Sequence, residues 1–357
     1  MKTTLQYHGD TYRHISRIIT DGGLVTSAPH LNKAVNNSIL INKPNYIPIV
    51  AYKEGKVYGS NLNGNLDFTF SRNSQKAVPL DYKGGINTII SNDTPSIDYS
   101  SGTPTLLLEP PRTNLFLNSD VLTNQTVYLT SGRYTVSFYG GGTVTLYNSN
   151  GTLLASIVSN TSNRYSNTIT GVTTGNKTIS VSGTVTKASL EKGDFATSYI
   201  RSTSTQGVRT TENLSLTNLY TNGFITSAGG TWFIDIFNNY SVLADSANIN
   251  LQLIDSVSNG IAFSNSSEIE VRKLRVINSA ELNYETTTDR VKIIVKWNGT
   301  IIDVFENGVK VVSASPFTIT EMETLLTAGI SSSMYIANMW LAPTPLTDSE
   351  CISLTTL

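Results

Sequence analysis

The chain has 357 residues, room for roughly two or three domains at about 150 residues each. Charged residues make up 14%, against about 25% in an ordinary soluble domain, and the formal net charge is −1. That balance excludes the basic footprint of a nucleic-acid binder, and 39% hydrophobic residues in regular spacing exclude a disordered chain.

Residues 1–60 hold all three histidines, His8, His14 and His30. The first residues lack the apolar core of a signal peptide, and no window is long and apolar enough to span a bilayer. Neither membrane contact nor nucleic acid is expected, and export would run through lysis or a partner. Irregular stretches such as Asp21-Gly22-Gly23 lead into two short β-like runs, 38–42 and 47–58, the second folding back at Glu54-Gly55. The segment reads as an extended attachment arm with little core of its own. Its alternative role is to supply the first strands of the following domain.

Residues 61–120 begin with Leu66-Asp67-Phe68-Thr69-Phe70-Ser71-Arg72-Asn73-Ser74 and end in Thr105-Leu106-Leu107-Leu108-Glu109-Pro110-Pro111-Arg112-Thr113-Asn114-Leu115-Phe116-Leu117-Asn118-Ser119. Pro110 and Pro111 remove two amide donors and hold the backbone extended, so this segment is expected to be a stiff connector. A solvated Glu109–Arg112 pair would be worth less than about 1 kcal/mol. Hydrogen bonding from these side chains to neighbouring backbone is the expected task.

From 121 to 212 the period is two. Tyr134, Val136 and Phe138 share one phase, with Arg133, Thr135 and Ser137 opposite, which is the pattern of a half-buried strand. Gly140-Gly141-Gly142 and Asn150-Gly151 mark turns, and 177–182 and 184–190 continue the strand pattern. Gly171-Val172-Thr173-Thr174-Gly175-Asn176-Lys177-Thr178 nearly spells a phosphate-binding loop. However, Asn176 stands where that loop needs glycine, and a strand follows instead of a helix, so a hairpin turn is expected. The segment closes on Ala188-Ser189-Leu190-Glu191-Lys192-Gly193-Asp194-Phe195-Ala196-Thr197-Ser198-Tyr199-Ile200.

Residues 213–357 open at Gly229-Gly230-Thr231-Trp232-Phe233-Ile234. Three strands over 291–312 are joined at Asn298-Gly299 and Asn307-Gly308, pairs that supply positive φ for two-residue turns. A returning strand is expected over 335–341. Thr347 and Glu350 then form a capping box for a short C-terminal helix holding the single cysteine, Cys351. One cysteine excludes an intrachain disulfide framework and suits a packing role.

Little chemistry of turnover is encoded. With no histidine beyond residue 30, neither a nucleophile triad nor a zinc site is supported in the β-segments. Paired-carboxylate glycoside hydrolysis is the enzymatic alternative, a capsule depolymerase. Glu268 and Glu270 share a strand face, but with Arg272 in phase they read as a solvated strand, and Asp303 and Glu306 do not share one. The loop 255–260 offers oxygens without calcium-site spacing and reads as a turn. No catalytic residue, cofactor or metal is therefore expected. Aromatic platforms remain: Trp297 is in phase with Val291, Ile293 and Val295 and belongs to a core, while Tyr139, Tyr147 and Trp232 are the candidate glycan contacts.

The string 105–119 resembles the connector of fibre and decoration proteins of tailed bacteriophages, where Leu-Leu-Leu-Glu-Pro-x-Arg-Thr-Asn-Leu introduces carbohydrate-binding-like sandwiches. The string 188–200 is similar to the Glu-x-Gly-x-x-Ala-Thr-Ser-Tyr-Ile run that ends such a sandwich, with Arg201 where those proteins usually carry proline. The 303–309 meander resembles that of concanavalin-like and laminin-G-like domains. Alternation gives an all-β expectation, and the resemblance implies two antiparallel β-sandwich (jelly-roll/concanavalin-like) domains within it: an arm (1–60), a connector (61–120), a carbohydrate-binding-like β-sandwich (121–212) and a concanavalin/laminin-G-like lectin domain (213–357). The resemblance implies a non-enzymatic virion part of head-fibre, tail-fibre or decoration type, assembled in the host cytoplasm. It would dock to other virion proteins through residues 1–60, form a homotrimer and meet host glycans.

Overall fold

The computed structural model of the chain describes residues 69–102, 104–223, 225–238, 250–255, 260–265, 271–277, 281–285, 290–316, 321–328 and 333–357, with three short strands before them, Ile47–Pro48, Ala51–Lys53 and Lys56–Tyr58. The architecture is all-β with antiparallel sheets and one short C-terminal helix among the described residues.

Alternating apolar residues build the larger body. An eight-stranded sheet runs in the order Val309–Pro316, Ile301–Glu306, Arg290–Asn298, Gly229–Asn238, Met334–Ala342, Thr105–Leu108, Ile97–Asp98, with Ile47–Pro48 also paired to Met334–Ala342. A seven-stranded sheet runs Glu281–Glu285, Val271–Ile277, Gly260–Asn265, Asn250–Ile254, Thr324–Ala328, Asn213–Leu216, Thr69–Ser71. Trp232, Ile234 and Ile236 from the first sheet and Leu251, Leu253 and Leu325 from the second share one buried core, so the two sheets form a sandwich. On the first sheet's other face, Phe233, Ile294, Phe305 and Trp340 pack under Cys351 and Leu354 of the helix Asp348–Thr355. Burial on both faces explains why these strands read as near-continuous apolar runs. The capping box expected at Thr347 and Glu350 is present. Burial pushes the Cys351 thiol up to about 12, which suits packing and not reactivity.

The smaller sandwich faces a four-stranded sheet (Gln125–Leu129, Gly175–Gly183, Gly142–Asn148, Leu153–Ser159) against a three-stranded one (Arg164–Val172, Gly132–Tyr139, Thr186–Lys192). Val136 and Phe138 meet Val144, Leu146, Ile157 and Ile179 in its core. The run 171–178 is a turn but not the expected hairpin: Arg164–Val172 pairs within the three-stranded sheet and Gly175–Gly183 within the four-stranded one, so the chain crosses from one sheet to the other here, with Gly171 and Gly175 at positive φ. The triple glycine allows close approach: a Cβ on Gly140 would sit 2.5 Å from the Thr184 carbonyl oxygen.

Two expectations change. The segment 61–120 is no free-standing connector, because Thr69–Ser71, Ile97–Asp98 and Thr105–Leu108 are strands of the larger sandwich. Leu106, Leu107 and Leu108 are all buried, as a strand covered on both faces requires. The smaller sandwich is therefore inserted into the larger, and its incoming strand Arg112–Asn114 pairs with the outgoing Gly207–Arg209. The turn after Arg290–Asn298 is also shifted by one: Asn298 pairs with Ile301, leaving Gly299-Thr300 as the loop, with Gly299 at positive φ. At Asn307-Gly308 both residues have positive φ, as the sequence implied.

Of the arm, Ala51–Lys53 pairs antiparallel with Lys56–Tyr58, as a chain folding back between them requires. The histidines, the run 38–42, Glu268, Glu270 and residues 256–259 lie outside the described residues.

Candidate functional site

The two motif strings meet. Glu109, 1% exposed, accepts hydrogen bonds from the Ser198 amide (2.7 Å) and hydroxyl (2.5 Å). Asn114 donates to the carbonyls of Ala188 (2.9 Å) and Ile200 (2.8 Å) and accepts from the Leu190 amide (3.0 Å). The Ser119 hydroxyl lies 2.7 Å from that of Tyr199. Arg201, which follows the second string, pairs with Asp120 at 2.7 Å on the surface.

Around Glu109 the junction is ionic and closed to solvent. Lys76 Nζ lies 3.1 Å from Glu109 and 2.9 Å from Glu212, Arg72 lies 3.0 Å from Glu212, and Arg209 lies 3.3 Å from Glu109. Lys76 also donates to the Leu107 carbonyl, and Arg209 to that of Pro110. The backbone hydrogen bonding expected of Glu109 is there, but its ionic partners are Lys76 and Arg209, not Arg112. Burial alone would raise the Glu109 pKa. Arg209 and Lys76, with the Ser198 hydrogen bonds, overcome that and hold the carboxyl well below the usual range. Glu191, also buried, goes the other way: desolvation outweighs Arg209 and Arg164, and its pKa is raised. This cluster is structural, since every member is sealed between the two sandwiches.

An accessible face lies on the outside of the four-stranded sheet. Val144 and Leu146 point into the core, so Thr143, Thr145 and Tyr147 point out. Register places Tyr147 opposite Thr178, Thr178 opposite Thr126, and Tyr128 opposite Asn176. Ser180 and Ser156 flank Thr145, and Ser182 and Val158 flank Thr143. No ionisable acid or base lies in these outward positions. Tyr128 is 63% exposed and Tyr147 half-buried. Two strand spacings and two residues along the strand separate their Cα atoms by roughly 12 Å, about the length of a disaccharide.

Of the three expected contacts, Tyr147 sits on this face. Tyr139 ends a strand of the opposite sheet, and because Phe138 faces the core it points away from the sandwich on the other side. The two tyrosines do not converge. Trp232 is corrected: it is fully buried in the larger core beside Ile234 and offers no face to a sugar. Tyr128 was missed. Its exposure signal, alternation with buried Val127 and Leu129, is visible in the sequence, but its alignment with Tyr147 depends on strand order.

No family model and no curated protein sequence matches the chain. Partial overlaps with solved structures exist. A structure described as a receptor binding domain is 16% identical, at TM-score 0.30, over 40% of this chain and 39% of that one. The botulinum neurotoxin serotype C1 binding domain is 13% identical, at TM-score 0.30, over 40% of each. Trypanosoma rangeli sialidase in complex with 2,3-difluorosialic acid is 9% identical, at TM-score 0.33, over 40% of this chain and 26% of that one. The chain thus spans two fifths or less of each, and nothing functional is drawn from overlaps of this size.

Proposed function

We propose that the chain is a non-enzymatic surface part of a tailed-phage virion, of head-fibre, tail-fibre or decoration type, whose smaller sandwich contacts glycans. Residues 1–60 dock it to other virion proteins, and trimeric assembly in the host cytoplasm multiplies weak contacts into avidity. The observation that carries the glycan contact is the outward face bearing Tyr128 and Tyr147 among serine, threonine and asparagine side chains. Tyrosine rings cover the apolar faces of sugar rings, and hydroxyls and amides exchange hydrogen bonds with neutral sugars without the desolvation cost of ions. The virion assignment is supported by the two motif strings, which carry the resemblance and here join one sandwich to the other. Electron microscopy of particles made with and without this protein tests that assignment. The expected result is loss of a projecting density; an unchanged particle surface would count against it.

A further inference from the structure

One ionic side chain of the string 105–119, Arg112, forms none of the junction's ion pairs. Arg112 lies over the Phe195 ring, 5.2 Å from its centroid, at the wall of a cleft of about 640 Å³. Arg133, Lys192, Ser131, Asp194 and Phe195 share that wall. Arg112 and Lys192 also line a neighbouring cleft of about 390 Å³, so they stand on the ridge between the two. Three cations therefore meet one acid, Asp194, which lies 3.5 Å from Arg133. Glu191, buried behind, offsets part of the Arg112 charge.

The backbone makes room for this arrangement. A Cβ on Gly193 (φ +139) would lie 2.8 Å from Arg112 Nη2, and one on Gly132 (φ +147) 3.2 Å from Lys192 Cε. Cation–π attraction to Phe195 holds the guanidinium at the cleft wall. Nη1, on the exposed side, makes only a long contact to the Pro111 carbonyl (3.5 Å) and is the donor open to the cleft, whereas Nε is buried without a hydrogen-bond partner among the described residues. The Lys192 ammonium is exposed and lies 3.0 Å from the Thr130 hydroxyl.

We propose that this cleft holds the carboxylate of an acidic saccharide between Arg112 and Lys192, an inference that rests on reading the smaller sandwich as a glycan-contacting module. A carboxylate matches the planar fork of a guanidinium, and Ser131 and the flanking backbone supply neutral donors and acceptors for the attached sugar. The test is calorimetric titration of the full chain with a uronate-containing oligosaccharide, its carboxyl-reduced neutral analogue, and acetate alone. The uronate glycan is expected to bind at least tenfold more tightly than the neutral one, and Lys192→Gln and Arg112→Gln each to erase most of that preference. Lys192 is exposed, so its variant decides the matter even if Arg112→Gln fails to fold. Equal affinity for acidic and neutral glycans, or a preference that survives Lys192→Gln, overturns the proposal. Acetate binding as tightly as the glycan overturns its saccharide part. Loss of binding to both glycans removes the broader glycan reading, whereas neutral binding without the acidic preference removes this cleft alone.

Discussion

Glu109 and Glu212 each neutralise cations that have no route to water. Lys76, Arg72 and Arg209 are all fully buried, so removing one carboxylate strands a charge in the junction. Glu109→Gln is expected to cost about 3–5 kcal/mol in urea denaturation, far above a surface pair. The pH dependence has a definite sign. A carboxyl held below its unfolded value stabilises the fold above about pH 4.3, and this is lost as pH falls further. Glu191 is opposite: its raised pKa gives stability that is full below about pH 4.3 and declines as pH rises. Glu191→Gln should therefore stabilise the protein at pH 7, with the gain vanishing in denaturation curves near pH 4. A destabilised Glu191→Gln at pH 7 would show that its charge is used. The backbone hydrogen bonding of Glu109 was legible in the sequence, but its ionic partners were not. In the sequence the cation nearest Glu109 is Arg112, whereas its partners Lys76 and Arg209 lie far away along the chain and are joined to it only by folding.

At the scale of single elements the sequence was far more informative, because the signals are local. Alternation found the strands, Asn307-Gly308 gave the tight turn, and Thr347 with Glu350 gave the helix start. Thr347→Ala is expected to cost about 1 kcal/mol, read as a lowered midpoint in thermal unfolding, since the Thr347 hydroxyl accepts from the Glu350 amide in the helix's first turn. The one-residue shift at Gly299 shows the limit of such signals: an Asn-Gly pair permits a turn, and register chooses which two residues form it. One candidate contact, Trp232, is ruled out for a related reason. Trp232 alternates like any strand aromatic, and only the second sheet packed against it decides that its face is inward.

For the whole molecule, strand order mattered most. The string 105–119 looked like a passage between domains, yet its leucines are a strand of the larger sandwich and its Thr113 and Asn114 begin the smaller one. Insertion with paired incoming and outgoing strands ties the small module down at both ends, while its four-stranded sheet turns an uncharged face outward. That face, marked by Tyr128 and Tyr147, is where the proposed contact is made. Binding of a neutral oligosaccharide series to the full chain and to the Tyr128→Ala/Tyr147→Ala variant tests it most directly. We expect millimolar-range binding by the wild type, weakened about a hundredfold in the double variant if each ring is worth about 1.4 kcal/mol. A variant that binds as well as the wild type, or a wild type silent to every glycan at millimolar concentration, would contradict the account.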